Sequence, residues 1–217
     1  MASPLVLYPD KTVLLPPRYC GDIGYYAVMA RYGNAVVDYA MRFDKRQKVV
    51  HRTTIADTRG LLTLTVPIAK PEKTSGTCWN EIRVSTHGHW WDIHRVALES
   101  AYGRTPFFEF YIDRFLPFFS PRTDDGCETI ADLDAALDGV IRDILGIAPA
   151  SPLQDEVDDF RRVLPTVPDV PYYQIRALQM GFIPSLSILD LIFNMGPESP
   201  LVLMEMNRLS SLACNSR

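Results

Sequence analysis

VLLPPRYCGDIGYYAVMARYGNAVVDY, Val13 to Tyr39, is the stretch on which the fold turns. Val13-Leu14-Leu15 reads as a short buried strand stopped by Pro16-Pro17, since proline fixes φ and removes a backbone donor. Asp22 can cap a helix whose apolar residues Ile23, Tyr26, Ala27 and Ala30 recur at helical spacing, and Gly33 is placed to end it. Tyr25, Met29 and Tyr32 make the other side apolar too, so this helix is expected to be covered on both faces. Ala35 to Tyr39 reads as a second buried strand. Strand, helix and strand joined this tightly form a βαβ unit with parallel strands.

Beyond that unit, Gln47–Ile55 and Leu61–Ile68 read as strands around ADTRG, whose Asp57 and Gly60 suit a turn. Glu81–Ser85 reads as one more strand. The chain then becomes helical: His89–Tyr102 ended by Gly103, the aromatic run Phe107–Phe119, and Thr129–Leu145. The last carries a stripe of Ile130, Leu133, Leu137, Val140, Ile141 and Ile144 behind a Thr129–Asp132 capping box. Asp134 and Asp138 on that helix are expected in solvent, with Arg142 one turn after Asp138 as its ion-pair partner. Five prolines and an acidic patch in 148–171 suggest an extended tether. SLSILDLIFNMG follows as a short apolar helix with Ser187 and Asp190 in capping-box register. Its Leu186, Leu189, Ile192 and Phe193 must bury against the body or a second subunit, so a homo-oligomer is one way to cover it. The fold class is mixed α/β, with α+β as the variant: a βαβ start plus a β-hairpin forming a sheet, then a helical half and a C-terminal helical arm. Residues 1–147 make the core, 148–171 the tether and 172–217 the arm.

A chain of 217 residues can bury a real core, and a net charge of −4 argues against nucleic-acid or membrane-surface binding. Any anion site must be local. No apolar run approaches a membrane span, and MASPLVLYPD lacks a basic start and a long apolar stretch, so no secretory signal and a cytoplasmic location are expected. Cys20, Cys78, Cys127 and Cys214 are scattered without CxxC spacing and read as reduced thiols. His87 and His89 flank Gly88 without a supporting carboxylate or thiol, so no metal is expected. No cofactor is identified, and neither a P-loop nor a nucleophile motif occurs.

Positive charge gathers in FDKRQKVVHRTTI, Phe43 to Ile55, which alternates like a strand and carries Lys45, Arg46, Lys48, His51 and Arg52. Two readings stand side by side: a solvated edge protected by its charges, or a phosphate or carboxylate site. An ideal strand puts Lys45 and Arg52 on opposite faces, so a shared ligand requires an irregularity between Arg46 and Val50. His51 reads as an exposed residue or a general base, and His94, beside Trp91 and Leu98, as a packed residue or a base. Trp91 and Tyr102 belong to an aromatic cluster that is core by default, with one or two members able to stack on a sugar.

LLPPRYCGDIGYYAVM, HRTTI, LTVPI, WWDIHRVALESAYGRTPFFEFY and LSILDLIFNMG, in this order across Val13 to Gly196, resemble the WbqC-like protein family. The family often has Gln-Pro and an aromatic pair where this chain has Pro16-Pro17-Arg18-Tyr19, so the base of the pocket is expected to differ. The resemblance implies bacterial surface-polysaccharide (O-antigen) biosynthesis. It also implies a transferase adding glycine or another aminoacyl group to an amino sugar on a nucleotide carrier. In that reading Lys45, Arg52 and Arg18 hold the phosphates of a sugar nucleotide, His51 or His94 takes a proton, and Trp91 and Tyr102 position the sugar. The alternative is a non-catalytic sugar-nucleotide-binding or assembly protein. Either way the expected partner is an anionic small molecule.

Overall fold

The computed structural model describes residues 6–120 and 128–215. Strand β1 (Tyr8–Leu15) lies parallel to β2 (Tyr32–Val37), and helix α1 (Ile23–Ala30) joins them. Asp22 caps α1 by accepting the Tyr25 N–H at 2.8 Å. Every α1 residue except Gly24 is buried, which fits a helix covered on both faces. Gly33 does not end it. The helix stops at Ala30, and Gly33 sits within β2 because a Cβ there would lie 2.1 Å from the Pro9 carbonyl oxygen. A close backbone crossing, not a cap, explains this glycine.

The hairpin of β3 (Arg52–Asp57) and β4 (Gly60–Thr65) forms a two-stranded sheet of its own. Its first strand begins later than the alternation suggests, because Lys48–Val50 winds into a 3-10 turn. Glu81–Ser85 is not a strand either. Trp79–Glu81 is another 3-10 turn, fixed where the Glu81 carboxylate accepts the Cys78 N–H at 2.6 Å, and Arg83 and Val84 make isolated bridges to Thr129 and Ile68.

Helices α2 (Trp90–Tyr102), α3 (Phe108–Phe115) and α4 (Ile130–Leu145) follow. The α4 capping box closes in both directions, with Asp132 N–H donating to Thr129 Oγ1 at 3.1 Å and Thr129 N–H to Asp132 Oδ2 at 3.0 Å. Its acidic face, expected in solvent, is instead buried. Arg142 donates to Asp138 at 2.6 Å and to the Ala35 carbonyl at 2.9 Å, and the Tyr26 hydroxyl donates to Asp138 at 3.0 Å. These bonds tie α4 to β2 and α1. Asp134, 1% exposed, has both carboxylate oxygens buried without a protein partner; burial, then the Asp138 charge, pushes its pKa well up.

Within 148–171 the chain lays β5 (Glu156–Asp159) parallel to β1, giving the order β2-β1-β5. After the single turn α5 (Ala177–Met180) come α6 (Ile188–Met195) and α7 (Ser199–Asn215). Leu186, Leu189, Ile192 and Phe193 are buried, and the Phe193 ring meets Tyr102, Phe108 and Phe115. Ser187 caps α6, but Asp190 does not complete a capping box. Its carboxylate accepts from the Tyr172 hydroxyl at 2.5 Å and Gln174 Nε2 at 3.1 Å, pinning the preceding segment. Helix α7 lies on α1, with Asn207 Nδ2 donating to the Ala27 carbonyl at 2.9 Å.

Cys20 and Cys78 are free thiols. Residues 1–5, Cys127 and the Cys214 side chain lie outside the described residues. Among the described residues no helix is long and apolar enough to cross a membrane.

Candidate functional site

A cavity of about 200 Å³ opens where three separate segments meet: Arg18, Gly21 and Asp22 before α1, Arg52–Thr54 at the start of β3, and Ser185 with Ser187 before α6. Backbone bonds lock these segments together. Ser187 N–H donates to the Thr54 carbonyl at 2.8 Å, Ile23 N–H to Leu186 at 3.0 Å, and Ile188 N–H to Gly21 at 2.9 Å. The Cys20 carbonyl accepts two hydroxyls, Thr53 Oγ1 at 2.8 Å and Ser187 Oγ at 2.9 Å. Cys20 and Ser185, on two sides of the cavity, hold φ of 42° and 56°. Non-glycine residues in the left-handed region cost on the order of 1–3 kcal/mol and persist only where the surroundings impose them. The wall is therefore held in shape before any ligand arrives.

Its charges are unequal in their freedom. Arg18 is ion-paired to Asp22, its guanidinium lies 5.2 Å from the centre of the Tyr25 ring, and its Nε is buried without a partner. Asp22 spends its other oxygen on capping α1. Arg52 is exposed and makes no side-chain hydrogen bond or ion pair among the described residues. A free guanidinium beside a second, committed one is suited to an oxyanion, which it can grip through two parallel N–H donors. Thr54 and Ser185 line the same space.

Of the residues singled out from sequence, the structure brings Arg18 and Arg52 together and leaves the others elsewhere. Lys45 does not line the cavity. The irregularity expected between Arg46 and Val50 exists as the 3-10 turn of Lys48–Val50. Packing on Trp79 dictates this path: Phe43 meets its ring edge-on at 4.7 Å, and its Nε1 donates to Gln47 at 3.1 Å. Asp44 is held by Arg46 in the same loop.

Neither histidine reaches the cavity. His51 is buried, not exposed, with Nδ1 3.1 Å from the Val66 carbonyl; burial lowers its pKa. His94 is 1% exposed, and burial takes its pKa down to about 4. Its Nε2–H donates to the Thr65 carbonyl at 3.2 Å, which leaves Nδ1 to accept the Tyr19 hydroxyl at 2.8 Å. With both nitrogens engaged, the ring is held neutral in the packing, away from the cavity. Trp91 and Tyr102 are core as well. Trp91 packs edge-on against Trp90, and the Tyr102 hydroxyl accepts the Ala56 N–H at 3.4 Å beneath Phe193. Sequence reasoning missed Thr54, Ser185 and Ser187 as neighbours of Arg52. Ser187 was legible as a helix cap, but nothing local says which strand it meets.

A family model described as the WbqC-like protein family matches residues 17–163, which include Arg18 and Arg52 and stop short of Ser185 and Ser187. The comparison with curated proteins and that with solved structures each gave no match. Since the matched stretch runs from the first cavity segment through β5 and takes in more than half of the chain, this chain belongs to the WbqC-like protein family.

Proposed function

We propose that this WbqC-like protein binds an activated, nucleotide-linked sugar through an oxyanion at Arg52 and Arg18. In this reading it serves surface-polysaccharide (O-antigen) biosynthesis as a transferase, adding glycine or another aminoacyl group to an amino sugar. The observation that supports the binding step is the uncommitted Arg52 guanidinium on a cavity already held in shape. The volume limits what enters. Sites that enclose a whole small molecule run to roughly 300–1,000 Å³, so about 200 Å³ receives the acidic end of the substrate while the rest lies outside.

The reaction requires no side-chain nucleophile. The sugar's amine nitrogen attacks the carbonyl carbon of an activated aminoacyl ester or thioester, the C–O or C–S bond breaks, and the departing group takes the amine proton. Positioning and charge neutralisation are the contributions a site of this composition can make. A second reading, binding without turnover, is favoured by one observation: both histidines stand outside the cavity with their rings buried.

Isothermal titration with a panel of nucleotide sugars tests the binding step. Arg52→Ala should weaken binding by about 1.5–3 kcal/mol, the worth of hydrogen bonds to a charged group, and leave the melting temperature almost unchanged because the side chain is exposed. Absence of affinity for every nucleotide sugar would remove the proposal. Mass spectrometry of a binding sugar with an aminoacyl thioester separates the two readings: a new amide supports the transferase, and binding without one supports the second reading.

A further inference from the structure

The charges fixed in the cavity wall limit the ligand more tightly than its volume does. Arg18 and Arg52 each bring one positive charge and Asp22 one negative, while the remaining lining groups are hydroxyls, glycine and valine. Asp22 cannot turn away from the cavity without cost. One of its oxygens caps α1 at 2.8 Å from Tyr25 N, and the other holds Arg18. Arg18 is in turn fixed between that carboxylate and the Tyr25 ring. An incoming anion therefore meets one free cation, Arg52, with a neutralised pair behind it.

Building on the pocket assigned above, we propose that it selects a singly charged oxyanion over a dianionic phosphate monoester, and that Asp22 sets this limit. One negative charge neutralises the cavity. A second has no free cation to face and comes up against the Asp22 carboxylate. At roughly 6 Å a full carboxylate charge weakens binding by about 3-fold at the dielectric of water and about 100-fold at an effective dielectric near 20, and the ion pair with Arg18 offsets part of this. The Thr54 and Ser185 hydroxyls can donate to either kind of ligand, so they do not reverse the preference. Two groups can bring a single charge into the cavity: the carboxylate of a sugar acid, and one phosphate of a nucleotide diphosphate sugar, whose other charge sits on the neighbouring phosphate outside.

The test is calorimetric titration of the full chain at pH 8 with three probes: glucuronate, UDP-glucose and glucose 1-phosphate. The last carries two charges on one phosphate there, since the second phosphate pKa is about 6, whereas UDP-glucose carries one on each of its two phosphates. Glucuronate, UDP-glucose or both should bind about tenfold more tightly than glucose 1-phosphate. The tighter of the two identifies the source of the charge. Asp22→Asn keeps an oxygen to cap α1 and removes the charge, and it should strengthen glucose 1-phosphate binding by about tenfold while strengthening glucuronate and UDP-glucose less. Glucose 1-phosphate binding as tightly as the others to the wild type overturns the inference and leaves the anion pocket standing. Equal strengthening of all three probes by Asp22→Asn does the same. No binding of any probe to the folded protein rejects the pocket and the inference together. Should the variant fail to fold, the wild-type ratio decides alone.

Discussion

Single buried side chains give this protein a pH dependence of definite sign. His94 titrates at about 4 when folded because it is buried, against about 6.5 in an unfolded chain. The folded state binds its proton more weakly. The stability it contributes is thus complete above about pH 6.5 and is lost as pH falls toward 4. A shift of that size corresponds to about 3 kcal/mol. His51, also lowered by burial, acts in the same direction. Urea midpoints should therefore fall between pH 6.5 and 4, and His94→Gln should lower stability at pH 7 while making that fall shallower. A variant with the wild-type slope would remove the assignment. His51→Ala should cost about 1–3 kcal/mol, as truncation of a packed side chain does, and an unchanged melting temperature would count against its burial. Asp134 has the opposite sign. Its raised pKa means the folded state holds the proton more tightly, so its penalty grows as pH rises above about 3.9. Asp134→Leu should raise the melting temperature, and more at pH 8 than at pH 5; equal gains at both would show that the acid does not titrate across that range.

At the scale of elements, α4 shows what sequence reading can and cannot reach. Its Thr129 cap, its apolar stripe and the Asp138–Arg142 spacing were all legible, because each depends on residues within one turn or one helix face. Whether that ion pair stands in water or in the core was not. The Ala35 carbonyl and the Tyr26 hydroxyl that complete it come from β2 and α1. Arg142→Ala should therefore cost about 3–5 kcal/mol, since it leaves Asp138 buried and unpaired, whereas Asp138→Leu with Arg142→Met should recover most of the loss. Denaturant titration of both variants checks this; equal losses would mean the pair is not effectively buried. The part of the basic stretch before Arg52, from Phe43 to His51, failed as a strand for a related reason. Alternation is a local signal, and the packing of Phe43 and Gln47 on Trp79 overrode it. The cavity was half legible: Arg52 and Asp22 were visible as charges, but Ser185 reaches them from far along the chain.

Over the whole molecule, the part matched by the family model is not the part that completes the core. The match ends at residue 163, while Leu191, Ile192 and Phe193 have no exposed surface. Removing everything after Pro171 would uncover the ring cluster of Tyr102, Phe108 and Phe115 and take away one wall of the cavity. An apolar patch of that kind drives association. The truncated chain should aggregate or melt without cooperativity in calorimetry, and a soluble fragment with a sharp transition would refute the dependence.

The three-stranded sheet also sets a timetable for synthesis. β1 stands in the middle, yet Lys11 pairs with Glu156, a residue the ribosome adds some 145 positions later. At roughly 5–20 residues per second, β1 therefore waits on the order of ten seconds with one edge unpaired. During that interval β2 and α1 can be in place, but the other flank of β1 offers its backbone to any neighbouring nascent chain. Slowing translation between β2 and β5 should lengthen that exposure and raise the insoluble fraction of newly made protein, while the same slowing after β5 should not.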